Sequence, residues 1–365
     1  MASPRIIVAA GGTGGHLWPA VSLARAVQRL EPASEFLFVG TGRPVEARIL
    51  EPAGFDRVVL ESSGVKGRSL GGQIKALGQC ALALGRSLKI VDKFRPNLYF
   101  GAGGYVPVPV GLAARIKGVP LTLHEQNSRP GLSNKVLARL AKKVFLGFED
   151  AAGAFPAGKT VFTGNPVRPE IAALHERTRQ FGGRAAKVLV TGGSQGARTL
   201  NHTVAPGLAS LHHRSGADFS IIHQTGPEDC QWVEQIYREA GVEATVAEFF
   251  QDMAALYDQA DLVISRAGAL TLAELTAAKL PSILSPLSTA ADDHQTVNAR
   301  SLVNAGAALM ATTNDISAEL IEDWVGGLLN DPGRLEKMSE AAGRQARLSA
   351  DEDMARACLK LIEGN

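Results

Sequence analysis

The sequence predicts an α/β protein built from two doubly wound parallel sheets, Rossmann-like domains facing each other across a cleft, and three observations carry that reading. The chain has 365 residues, about twice a typical domain. Short apolar runs alternate with segments of helical spacing along its whole length, the pattern of βα units. Each half opens in the same way, with a strand, a glycine loop and a helix. These are Arg5–Ala10, Gly11–His16 and Pro19–Leu30 in the first half, and Lys187–Thr191, Gly192–Gly196 and Ala197–Leu211 in the second.

The remaining elements follow in order. Glu35–Val39, Leu98–Phe100, Leu121–His124 and Val144–Leu146 read as strands of the first half. Phe219–His223, Leu262–Ser265 and Ser282–Ser285 read as strands of the second. Pro166, within Gly164–Arg168, breaks any regular element and sets a first domain over 1–165 and a second over 166–345. Pro206 predicts a kink or break in the helix after the second glycine loop. Ser349-Ala350-Asp351-Glu352 has the letters of a capping box and opens a final helix through Ile362.

Composition bounds the function. Hydrophobic residues at 45% and charged ones at 20% describe a globular chain, not a disordered or coiled-coil one. No apolar run is long enough for a membrane-spanning helix, and the run after Arg5 is too short for a secretory signal. Cys80, Cys230 and Cys358 are few and far apart, which fits a reducing cytoplasm and neither a disulfide framework nor a metal site. Residues 1–165 carry 21 Lys and Arg against 10 Asp and Glu, whereas residues 166–365 carry 17 against 26. A basic first half points to an anionic surface. Aromatic residues at 5%, without basic interleaving, argue against nucleic acid.

A glycine loop between strand and helix aims backbone N–H groups at an anion, with phosphate the default ligand. A dinucleotide fits poorly, because Leu17 stands where the fingerprint needs glycine and no acid follows Val39. Gly153–Thr160 has the letters of a Walker A motif, but Val161-Phe162-Thr163 reads as a strand where that motif needs a helix, so it is a surface turn. Further polar clusters end strands, where ligands bind in open α/β sheets: Gly101–Tyr105, His124–Asn127, Ser265–Glu274, and Asp292–Gln295 with Asn298.

These clusters, in this order along the whole chain, resemble the MurG family of UDP-N-acetylglucosamine transferases within glycosyltransferase family 28. The resemblance implies a GT-B fold with an N-terminal acceptor domain, a C-terminal donor domain, and a last helix, about 346–365, packing back on the first domain. It also implies transfer of GlcNAc, with inversion, from UDP-GlcNAc to the 4-hydroxyl of MurNAc in undecaprenyl-pyrophosphoryl-MurNAc-pentapeptide. Glu274 would accept both ribose hydroxyls, as a carboxylate suits a vicinal diol. Ser194 and the amides of Ala269, Leu270, Thr271, Leu272 and Ala273 would hold the diphosphate, with Arg168 neutralising it. Asn127, Gln295 and the Ala269 backbone would read the sugar, and the uracil position falls near Phe250. Thr13, Gly14 and Gly15 would close over the donor, while Gly103, Gly104 and Tyr105 belong to the acceptor side.

His16 is the candidate general base, since imidazole titrates near working pH, with Glu125 and His124 in reserve. No cofactor is required; a divalent cation such as Mg would assist the acceptor's pyrophosphate. The lone Asp-x-Asp, Asp351-Glu352-Asp353, sits at a helix start where acids need no metal. Ile74, Leu77, Ala81, Leu84 and Leu88 share a helical face flanked by Lys66, Arg68, Lys75, Arg86 and Lys89. That stripe reads as a patch on anionic lipid at the cytoplasmic face of the bacterial inner membrane, or as a core-packing helix. Cell-wall synthesis and division proteins are the further partners expected. The rival readings are a diacylglycerol-type GT-B transferase, a non-hydrolysing UDP-GlcNAc epimerase, and a UDP-sugar-binding regulator.

Overall fold

The computed structural model describes residues 3–60, 70–193, 196–215, 218–287 and 293–364. The chain forms two compact units, Met1–Pro166 with Arg347–Asn365, and Val167–Ala346. In the first unit the strands are β1 (Arg5–Ala9), β2 (Glu35–Gly40), β3 (Arg57–Val59), β4 (Leu98–Gly101), β5 (Leu121–Glu125), β6 (Lys143–Leu146) and β7 (Thr160–Phe162). They lie in the order β3-β2-β1-β4-β5-β6-β7, every pair parallel. Ile6, Ile7, Val8 and Ala9 are all buried, as expected when helices cover both faces of a parallel sheet.

The second unit holds β8 (Ala186–Thr191), β9 (Phe219–Gln224), β10 (Ala244–Ala247), β11 (Leu262–Ser265), β12 (Ser282–Leu284) and β13 (Ala308–Met310). Their order is β10-β9-β8-β11-β12-β13, again parallel throughout. The strand order reverses between β1 and β4 in one sheet and between β8 and β11 in the other. Such switch points open the crevice where doubly wound sheets bind ligands.

The final helix, Ala350–Glu363, belongs to the first unit. Met354, Ala355 and Cys358 are fully buried in the core built by Leu17, Val21, Ala24 and Phe38, and Arg29 bridges Asp351 at 2.7 Å. Burial pushes the Cys358 thiol up to about 12, so it behaves as a small hydrophobe.

Several sequence expectations are corrected. The helix Arg198–Ser215 runs through Pro206 without a break. It packs on the helix Ala318–Leu329 so tightly that a Cβ at Gly207 would meet the Ala318 carbonyl at 2.6 Å, and this packing overrides the lost hydrogen bond. Ser349 precedes the last helix but forms no capping box; its hydroxyl donates to Asp353 Oδ2 at 2.7 Å. The strands β3, β10 and β13 were not legible, and all three are edge strands of three or four residues, whereas the short edge strand β7 matches the strand read at Val161–Phe162. The turn before β7 is a surface turn, as read from the sequence: Lys159 Nζ donates to the carbonyls of Ala138 and Arg139.

The stripe on the helix Leu70–Phe94 divides. Leu84, expected at the membrane, instead packs with Leu88 against the core of Tyr99, Val110 and Leu121, because its half of the helix covers the sheet. Ala81 and Leu82 are exposed, whereas the side chains of Ile74, Leu77 and Lys75 lie outside the described residues, as do Lys66 and Arg68. Among the described residues, no helix is long and apolar enough to cross a membrane.

Candidate functional site

At the first switch point the chain leaves β1 and passes Gly11 and Gly12 before the helix Gly14–Leu30 begins. The helix therefore starts inside the expected loop, and Gly14, Gly15 and His16 form its first turn behind an exposed Thr13. His16 Nδ1 lies 3.1 Å from the Gly11 carbonyl and 3.3 Å from Thr13 Oγ1. The loop after β4 packs against the same ring. Gly103 and Gly104 have φ of +92° and +91°, and a Cβ at Gly103 would approach His16 Cδ2 to 2.9 Å. Glycine is required there both for the backbone turn and for the close approach. Tyr105, next in the chain, is 63% exposed.

Beneath this loop sits a carboxylate that periodicity and spacing did not single out. Glu46, on the helix Pro44–Leu50, is fully buried. Its Oε1 accepts from Gly12 N at 3.2 Å, Thr41 N at 2.8 Å and Thr41 Oγ1 at 2.6 Å, and its Oε2 accepts from Gly42 N at 2.8 Å. Burial pushes this carboxyl up, but the hydrogen bonds outweigh it and hold the group below the ordinary value.

His124–Asn127 end β5. His124 is buried and pushed down to about 3, first by desolvation and further by the charge of His16, so it stays neutral. Glu125 is also buried, and both its oxygens are taken. Oε1 accepts from Asn127 N at 3.1 Å, and Oε2 accepts from Gly131 N at 3.1 Å and Asn134 Nδ2 at 2.9 Å. A carboxylate so engaged shapes the turn that carries Asn127.

At the second switch point the loop after β8 includes Ser194 and Gln195, which lie outside the described residues, as does Asp292. After β11, Gly268 precedes the helix Ala269–Ala277, whose first amides have no side-chain cap. The buried Gln224 was missed by sequence reading. Its Nε2 donates to Gly193 O at 3.2 Å and its Oε1 accepts from Phe250 N at 3.0 Å, tying the glycine loop to the expected base position. Nothing in a lone glutamine at a strand end signals this. Gln295 Oε1 accepts from Leu287 N at 3.0 Å.

Glu274 faces inward from the second turn of its helix, not out to solvent as a simple helix-dipole acid would. Oε1 accepts from Arg168 Nε at 3.1 Å and pairs with Nη2 at 3.0 Å, while Oε2 accepts from Tyr257 Oη at 3.2 Å. Burial raises its carboxyl, and Arg168 offsets part of that rise. Arg168 thus holds the carboxylate in this structure. Tyr257, a second missed residue, is buried and pushed far up, so it remains a hydroxyl donor. A carboxylate with two donors behind it beside an open helix N-terminus can receive a diol and an anion together. Among the described residues, no group of three or more His, Cys, Asp or Glu could hold a metal ion.

Comparison with known proteins agrees across both units. The chain is 41% identical over 358 residues, 98% of its own length and 97% of the relative's, to the Desulfotalea psychrophila protein named UDP-N-acetylglucosamine--N-acetylmuramyl-(pentapeptide) pyrophosphoryl-undecaprenol N-acetylglucosamine transferase. It is 42% identical over 361 residues, 98% of this chain and 93% of the relative, to the Anaeromyxobacter sp. (strain K) protein of the same name. The crystal structure of Acinetobacter baumannii MurG superposes with a TM-score of 0.81 at 29% identity, covering 98% of this chain and 99% of that one. Residues 6–146 match the glycosyltransferase family 28 N-terminal domain, and residues 187–354 match its C-terminal domain. With each sheet matched by its own half of one family, the chain belongs to glycosyltransferase family 28.

Proposed function

We propose that this protein transfers GlcNAc from UDP-GlcNAc to the 4-hydroxyl of MurNAc in undecaprenyl-pyrophosphoryl-MurNAc-pentapeptide, the last lipid-linked step before peptidoglycan assembly. The observation that carries the reading is Glu274, a carboxylate backed by Arg168 and Tyr257 beside the uncapped helix start after Gly268. Likeness to relatives bearing that transferase's name supports the substrate pair over an epimerase, a regulator or a diacylglycerol-type enzyme.

In this reading the acceptor oxygen attacks the anomeric carbon as its proton passes to His16 Nε2. The bond from that carbon to the diphosphate oxygen breaks, and UDP leaves from the opposite face, so an α-linked donor gives a β-1,4 product. The negative charge growing on UDP is met by the amides after Gly268 and those of the second glycine loop. Glu274 binds the ribose diol, displacing or sharing its contacts with Arg168 and Tyr257. The chemistry needs no resident cofactor, and a divalent ion would act on the acceptor's pyrophosphate. The acceptor's lipid brings the protein to the cytoplasmic face of the bacterial inner membrane, where its basic half meets anionic headgroups and where cell-wall and division proteins are further partners.

The test is transfer of labelled GlcNAc to a short-chain analogue of the lipid-linked MurNAc-pentapeptide, with diacylglycerol as a parallel acceptor. Product on the MurNAc lipid alone is expected. Product on diacylglycerol alone, or UDP-GlcNAc binding without transfer to either, would overturn the assignment.

A further inference from the structure

The peptide joining Gly11 to Gly12 is held on both sides by ionisable side chains. Its N–H donates to Glu46 Oε1 at 3.2 Å, and its C=O lies 3.1 Å from His16 Nδ1. A carbonyl oxygen only accepts, so Nδ1 carries the proton in this contact and the neutral ring keeps its basic lone pair on Nε2. Gly12, at φ +91°, gives the peptide this orientation. The carboxylate also needs room: a Cβ at Gly11 would lie 3.3 Å from Glu46 Oε1, and one at Gly40 would run into Oε2. Glycines at 11, 12 and 40 therefore form the seat of one buried anion.

We propose that Glu46 is a positioning residue for His16. Acting through the Gly11–Gly12 peptide, it fixes the Nδ1–H tautomer and supports the imidazolium formed when Nε2 takes the acceptor's proton. This rests on the reading of His16 as the base. A peptide N–H bound to an anion makes its own carbonyl a stronger acceptor, and the anion's field favours a cationic ring over a neutral one. Placing the carboxylate behind the peptide also keeps it away from the anionic acceptor. Among the described residues, other charged and titratable groups also lie by this loop. Arg43 Nη1 donates to the Gly12 carbonyl at 3.0 Å, and His124, electrostatically coupled to His16, is held neutral by burial.

The test uses the full chain and follows kcat and kcat/KM for the short-chain acceptor against pH at saturating UDP-GlcNAc. Glu46→Gln should lower kcat by roughly tenfold or more and move the acid limb to lower pH by roughly half a unit or more, since the imidazolium loses its anion. The KM for UDP-GlcNAc should stay within about twofold. On a His16→Ala background, Glu46→Gln should add no further loss. A uniform fall with an unmoved acid limb, additive to His16→Ala, would reduce Glu46 to a loop anchor and overturn the proposal. Unchanged turnover in His16→Ala alone would instead remove the base reading, a separate failure. If Glu46→Gln does not fold, long-range ¹⁵N spectra of the unmodified protein's imidazole decide the matter. A proton on Nδ1 supports the relay, and one on Nε2 overturns it.

Discussion

Glu274 illustrates how one side chain can be prepared for a ligand before the ligand arrives. Arg168 and Tyr257 offset its burial and aim both oxygens, so the carboxylate loses little conformational freedom when it binds. Glu274→Ala should weaken UDP-GlcNAc binding by about 10- to 100-fold, consistent with about 1.5–3 kcal/mol for hydrogen bonds to a charged group. Tyr257→Phe should cost no more than about fivefold, and calorimetric titration separates the two. Two other residues set a pH limit. His124 and His223 are each held near 3 by burial, whereas an unfolded histidine titrates near 6.5. The unfolded chain thus binds more protons between those values, and stability is lost as pH falls from about 6.5 toward 3. Thermal melts should show a midpoint falling over that range. In His223→Gln, where the amide retains a partner in Tyr237 or Asn201, the fall should be shallower.

Among the elements, the loop after β4 is the most sensitive to a small change. Gly103→Ala would force an L residue to φ +92° and press its methyl on the His16 ring. Turnover should fall by roughly 100-fold, far more than the affinity for UDP-GlcNAc. Legibility also divides by element. Central strands such as Arg5–Ala9 and Leu262–Ser265 are continuous apolar runs and could be read directly. Edge strands such as β3 are three residues long and half-exposed, so they leave no pattern. Glycine turns marked both switch points, because positive φ and close approach have one chemical solution. The side chains that support them, Glu46, Gln224 and Tyr257, were silent because their partners are distant in sequence or are backbone groups. Leu84 shows the opposite error: a stripe at helical spacing is the same letters whether it faces lipid or core.

Across the whole molecule, charge is partitioned between the halves, with 21 basic against 10 acidic residues before residue 166 and 17 against 26 after it. Binding to vesicles containing anionic phospholipid should be strong at low ionic strength and largely lost at about 0.5 M salt. Equal binding to neutral vesicles would assign the contact to apolar residues instead. The path of the chain has another consequence. The first unit is completed by Arg347–Asn365, so its core lacks Met354, Ala355 and Cys358 until the second unit has been made. The amino-terminal half can therefore complete its core only after the carboxy-terminal half has been synthesised. A stop codon placed before Met354 would damage the half that was synthesised first.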